Sequence, residues 1–233
     1  MSFRRKRFLY CVAGILCLVS GLSITVAVSA NLWIHARALC VTGAKLVNAS
    51  GEELEKFLAD IRYGLFHGEK VRQCGLGGRP VHFSFFQDMW KVTPASIHLS
   101  VILFSAVQIV FALVATVFSM YNTFGKPFET LHGPTGLYLW NAISCSCGFI
   151  VLVLFSMEVK LHHLSEKIAN YNEKKFIFKT HEENYEKSYW IIFICSSVHF
   201  LNILLIRLTG VRFPFQKSKE SELSTITAVE LMY

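Results

Sequence analysis

Four long apolar blocks govern what this chain can fold into. They run from Phe8 to Ala30, Ile97 to Tyr121, Leu137 to Met157 and Tyr189 to Thr209, and Arg207 is the one Lys, Arg, Asp or Glu inside them. A helix needs about 20 apolar residues to cross the hydrocarbon of a bilayer. A lipid environment also requires every backbone N–H and C=O to be satisfied within the segment, which a helix does. A soluble domain of 233 residues has no interior large enough for four such segments. The blocks therefore predict an all-α membrane protein with a four-transmembrane-helix bundle. The share of charged residues, 17%, lies below the roughly 25% of soluble domains.

The spans divide the chain into a basic N-terminus (1–7), spans at 8–30, 97–121, 137–157 and 189–209, connecting segments at 31–96, 122–136 and 158–188, and a tail at 210–233. The formal charge of +7 does not point to nucleic acid. Arg4, Arg5, Lys6 and Arg7 precede the first span, where basic residues hold a helix end in the cytosol. The remaining charges are interleaved with acids, and no aromatic and basic stacking platform is present. Both termini are then cytosolic, and residues 31–96 and 158–188 lie outside. Six lysines in the second outside loop, Lys160 to Lys187, run against the rule; the first span usually dominates it. Asn48-Ala49-Ser50, the one N-x-S/T sequon in the chain, agrees with the first span, since a glycan requires a lumenal loop. A cleaved signal peptide is the competing reading of the first block. Its apolar core is about twice the usual length for that role.

Seven cysteines are present, and only Cys40 and Cys74 fall in an outside loop. An oxidising compartment favours pairing them, against the alternative of two free thiols. Cys11, Cys17, Cys145, Cys147 and Cys195 read as small packing residues, with Cys11 a candidate for palmitoylation. In the first span Ala13, Cys17, Gly21 and Thr25 are spaced four apart, and Ser144 with Gly148 repeats the device in the third. Small residues on one face let helices approach closely, so these stripes predict a packed bundle or a homo-oligomer.

The first outside loop begins with Trp33, expected in the interfacial aromatic belt, and residues 32–40 read as a strand. Ser50 with Glu53 forms a capping-box pattern for a short helix through Ile61, with Leu54, Phe57, Leu58 and Ile61 on one face. Val81 to Phe86 reads as a second strand. The third helix is expected to continue beyond its span through Leu161, Leu164, Ile168 and Tyr171. Phe176 to Phe178 could then add a strand to the first loop's sheet. These readings predict a small β-rich cap over the bundle. The segment Asn122 to Gly136, dense in Gly and Pro, reads as a tight cytosolic turn.

Chemistry-bearing constellations are sparse. His162, His163 and Glu166 sit one helical turn apart, but two ligating residues on a solvated helix usually form only a solvated face. No metal or cofactor is expected. Gln108, His199 and Asn202 lie inside spans, where polar side chains are functional candidates; interhelical hydrogen bonding is the favoured role. Arg207 can snorkel outward. Cys145-Ser146-Cys147 is not the CxxC of a redox enzyme, and no acidic ring marks a channel. Leu231, Met232 and Tyr233 close a polar tail in the manner of a PDZ ligand, with a free carboxylate and alternate side chains for pockets.

The layout separates tetraspan families. Cysteines are missing from the second outside loop, unlike connexins, and no Cys-Cys-Gly motif marks a tetraspanin. Trp33 and Gly64-Leu65-Phe66 resemble the claudin/PMP22-like superfamily. Within it, four stretches resemble the clarin family: Leu46-Val47-Asn48-Ala49-Ser50-Gly51, Tyr63 to Gly68, Val71 to Gly77 and Phe124 to Pro134. The run His162 to Asn170 and the closing Leu231-Met232-Tyr233 do so as well. The resemblance covers nearly the whole chain. It implies a claudin-like cap, glycosylation at Asn48, and a non-catalytic role in hair-bundle and ribbon-synapse structure. It further implies plasma-membrane residence in sensory cells, hearing and photoreceptor maintenance, and links to actin and scaffold proteins. An auxiliary channel subunit, or a pore, is the alternative. Cys40 precedes the Gly-Leu-Phe motif, whereas claudins place both cysteines after it, so neither their disulfide nor their paracellular sealing carries over.

Overall fold

The computed structural model describes residues 3–75, 77–90, 94–124 and 134–208. In chain order the elements are α1 (Phe3–Ser29), β1 (Ile34–Cys40), α2 (Val41–Leu46), a 3-10 turn (Gly51–Phe57), β2 (Leu58–Tyr63), β3 (His67–Arg72), β4 (Arg79–Ser84) and a π-helical turn (Phe85–Met89). They continue with α3 (Ala95–Phe124), α4 (Pro134–Lys160), α5 (Leu164–Asn170), β5 (Phe178–Tyr185) and α6 (Lys187–Leu208). α1, α3, α4 and α6 are long and apolar enough to cross a membrane. The fold is a four-helix membrane bundle carrying a β cap.

Glycine sets the closeness of α1 to α3. A Cβ added at Gly14 would meet Ser119 and Met120, and one at Gly21 would touch Ala112 and Leu113. Ala13, Cys17 and Gly21 of the small-residue stripe are buried, whereas Thr25 is exposed and donates to the Gly21 carbonyl at 2.9 Å. Three of the four stripe residues are thus taken up inside one chain. In α4, Ser144 and Gly148 do the same work: Ser144 Oγ donates to the Gln108 carbonyl at 3.2 Å, and Gly148 leaves room for Gln108 and Ser196.

The cap is one antiparallel sheet in the order β4-β3-β2-β1-β5. β1 alternates strictly, with Ile34, Ala36, Ala38 and Cys40 buried, the period of a half-buried strand. β5, contributed by the later connection, pairs along all of β1. The expected helix from Ser50 to Ile61 is not formed. Gly51 takes φ +61°, the Ser50 side chain makes no cap, and a 3-10 turn leads into β2. Ile61 and Tyr63 face inward while Arg62 faces out, so period two prevails over the helical spacing. The strand expected at Val81 to Phe86 is set back to Arg79–Ser84, because the Asp88 carboxylate accepts the Ser84 N–H at 2.9 Å and turns the chain. The strand expected from Phe176 starts at Phe178 and runs longer.

The third span does not continue as one helix. It stops at Lys160, and His163 adopts φ +49° before α5 begins. Leu161 is therefore exposed while Leu164 and Ile168 are fully buried against the sheet. Two polar ties explain the break. Ser165 Oγ lies 3.0 Å from the Tyr63 hydroxyl, whose burial raises its pKa well above the usual range. Lys70, only 2% exposed, donates to the carbonyls of Ile168 at 2.8 Å and Tyr171 at 3.0 Å. A cation at a helix C-terminus answers carbonyls that lack partners there.

Burial, helped by the charge of Arg72, pulls Lys70 from 10.5 down to about 8. Between those values the unfolded chain binds more protons than the folded one, so stability should rise with pH across that window and stay flat below it. Lys70→Met should abolish the rise and, by stranding two carbonyls, cost about 2–4 kcal/mol. Thermal unfolding of the full chain in nanodiscs from pH 7 to 10.5 measures both effects.

Candidate functional site

The described residues concentrate polar chemistry in three places: the cap's distal loops, the joint between cap and bundle, and a seam inside the bundle. In the first, Cys40 ends β1 and Cys74 follows β3, and the two form a disulfide with a Cα–Cα distance of 5.6 Å. Closing a loop of 34 residues stabilises by about 4 kcal/mol in the chain-entropy account. Phe57 packs against Gly43 and Gly75 beside this bond, and the Gly75 N–H donates to Lys56 at 2.9 Å. Asn48 is exposed just beyond α2 with φ +49°, and Ser50 of the same sequon is exposed too.

The joint corrects the reading of Trp33. It is fully buried, not in an interfacial belt, and stands edge-on to Phe155 at 4.8 Å. The last four carbonyls of a helix have no partner within it. Trp33 Nε1 donates to one of them, Ala27, at 2.8 Å. Gly64 lies against the Ala30 carbonyl, where a Cβ could not fit. Next to it the Leu65 carbonyl accepts from His98 Nε2 at 2.7 Å. His98 Nδ1 sits 3.0 and 3.1 Å from the two Glu158 oxygens, and its ring stacks on Phe85 at 4.5 Å. Glu158 is fully buried and His98 is 2% exposed. A carbonyl cannot donate, so Nε2 carries a proton, and a second proton lies between Nδ1 and the carboxylate. The unit joins α3, α4 and the Gly64-Leu65-Phe66 turn in one hydrogen-bonded cluster.

The seam runs between the helices. Asn141 Nδ2 donates to Leu137, which leaves Oδ1 to accept from Cys17 Sγ at 3.3 Å and His199 Nδ1 at 3.0 Å. Asn202 donates to Cys17 Sγ and the Ala13 carbonyl, and Gln108 to Ser196 Oγ at 3.2 Å. Gln108, Asn141, Ser196, His199 and Asn202 all have zero exposure. Bonds of this kind contribute about 0.6–2 kcal/mol each in a membrane. They tie α1, α3, α4 and α6 together.

Other candidate residues lie apart from these clusters. His162 and His163 form the break between α4 and α5, and Glu166 lies in the first turn of α5. Leu231, Met232 and Tyr233 lie outside the described residues, as does most of the turn between the second and third spans. Sequence reasoning passed over His98, Asn141, Glu158 and Lys70. Glu158 stands one residue past an apolar block and His98 is the second residue of another. An ionisable group at a span boundary was the available signal.

A family model described as Clarin-2-like matches residues 4–206. Clarin-1 of Homo sapiens is 58% identical over 233 residues, covering all of both chains, and Clarin-1 of Mus musculus is 56% identical over the same length. Clarin-2 of Mus musculus is 38% identical over 228 residues, 98% of each chain.

Removing one member of the joint leaves the other buried without its partner. His98→Ala and Glu158→Ala should each cost about 3–5 kcal/mol. The double variant should cost less than their sum by about 1 kcal/mol or more, because contacting residues are not additive. A double-mutant cycle by thermal unfolding in nanodiscs measures the coupling.

Proposed function

Because the chain belongs to the clarin family, we propose that it is a non-catalytic tetraspan organiser of sensory-cell membranes, supporting hair-bundle and ribbon-synapse structure. The full-length likeness to Clarin-1 supports the cellular setting, with hearing and photoreceptor maintenance as the processes served. The seam supports the non-catalytic reading, since Gln108, His199 and Asn202 have zero exposure and each bonds to a neighbouring helix.

In this proposal the cap is extracellular and both termini are cytosolic at the plasma membrane. One observation carries it: the Cys40–Cys74 bond and the exposed Asn48 sequon belong to the same cap. Both chemistries occur on the lumenal side, and Arg4 to Arg7 ahead of α1 support the same orientation. The bundle anchors the cap. The tail, ending in Leu231, Met232 and Tyr233, recruits PDZ-type or actin-linked scaffolds through strand pairing and carboxylate capture; this rests on sequence.

Glycosidase treatment should shift the wild-type protein to higher mobility, and Asn48→Gln should run at the shifted position and reach the surface less well. Unchanged wild-type mobility after treatment overturns glycosylation at Asn48. Proximity labelling from the tail should lose its scaffold partners when residues 231–233 are deleted, and an identical labelled set overturns the tail's role.

A further inference from the structure

The outward side chains of the cap form rows across the sheet. In one row His82, Glu69, Arg62 and His35 lie in register from β4 to β1. Elsewhere on this face His35 is hydrogen-bonded to Asp60, and Arg37 Nη2 pairs with Glu55 at 2.7 Å. Arg62 and Glu69 differ. They are directly opposite on the adjacent strands β2 and β3, Arg62 exposed and Glu69 half-buried. Among the described residues neither makes an ion pair or a side-chain hydrogen bond. With Asp60 and Val71 they line a shallow groove.

The sheet edges are closed to strand addition. The Phe85 N–H donates to the Phe66 carbonyl, and antiparallel alternation then turns the backbone groups of Pro80, His82 and Ser84 outward on β4. Pro80 has no N–H, and that of Ser84 is held by Asp88. On the other edge, β5 has a register break opposite Arg37 and Ala38 and carries Glu182 and Glu183. Bulges, prolines and charges of this kind protect an edge. The face remains as the surface for contact.

We propose that this face docks against the same face of a second copy of the chain, Arg62 of each copy pairing with Glu69 of the other. A two-fold interface is isologous, so a neighbouring cation and anion become two reciprocal pairs. The axis that superposes them runs parallel to the strands, midway between β2 and β3. β1 begins four residues after α1, and only Glu186 separates β5 from α6. Both strands thus lie next to span ends, and with this axis along the membrane normal the two copies stand side by side in one membrane. Five strands about 4.8 Å apart and roughly 20 Å long give a face near 500 Å². That is below the ~800 Å² per partner of a standard stable interface. The contact is weak in solution and depends on confinement in a bilayer, which raises the effective concentration of each copy.

The test is a charge exchange in the full-length protein, with energy transfer measured between two differently labelled copies in one membrane. Arg62→Glu and Glu69→Arg should each lower the transfer about five-fold against wild type at equal density. The double variant Arg62→Glu/Glu69→Arg should restore it. Co-expression of the two single variants should restore it as well, since each then supplies the charges the other lacks. Transfer unchanged in both single variants overturns the proposal. Loss without rescue in either combination also overturns it and assigns the face to a different protein. Unaltered thermal unfolding of the single variants shows that a loss comes from the contact and not from misfolding.

Discussion

A helix that leaves a bilayer ends with carbonyls that lack intrahelical donors, and the cap is arranged around supplying them. Trp33 Nε1 reaches back to Ala27, and the Trp33 ring then fixes the angle at which β1 departs. The Trp33 carbonyl in turn accepts the Glu186 N–H at 2.9 Å, and Leu32 accepts that of Ser188. The first and last spans are therefore joined through one short connector. Gly64 brings the β2–β3 turn onto the same spot, and the Leu65 carbonyl is held by His98 from a third helix. The Trp33 bond thus ties the start of the sheet to the end of the first span, beside the point where α3 holds the β2–β3 turn.

The bundle below is specified by different means. Lipid tails are as apolar as leucine, so burying leucine between helices gains little. Glycine, alanine and serine bring the spans close, and amides and two imidazoles, His98 and His199, bond between them. Gly14, Gly21 and Gly148 set the distances, while Asn141, His199 and Gln108 set the rotations. A hydrogen-bonded amide has few alternative partners in hydrocarbon, so it fixes register more firmly than a smooth apolar face does.

Much of this was legible in the residues. Charge-free blocks of more than 20 residues, Ile97 to Tyr121 for example, announce spans because no other structure tolerates them. β1 was readable because its alternation is clean. β3 was not: its inward positions are Gly68 and Lys70, which look polar or empty in a sequence. They become intelligible only when Phe83 and Tyr63 are seen lying over Gly68, and the end of α5 over Lys70. The break at His163 was hidden for a similar reason. Leu161, Leu164 and Ile168 keep helical spacing across it, and only the pull of Tyr63 and Lys70 on α5 decides against a continuous helix.

β1 lies between a neighbour made soon after it and one made much later: Leu39 pairs with Leu58 on one side and with Lys179 on the other. The second partner emerges from the ribosome only after three of the four spans. Throughout that interval β1 presents a raw row of unpaired amides on one flank, a template for pairing with stray chains. A polypeptide cut short before Phe178 would carry this half-built sheet permanently. Premature termination ahead of Phe178 thus produces a sticky fragment, the kind of product that cellular surveillance removes, in addition to losing the final helix.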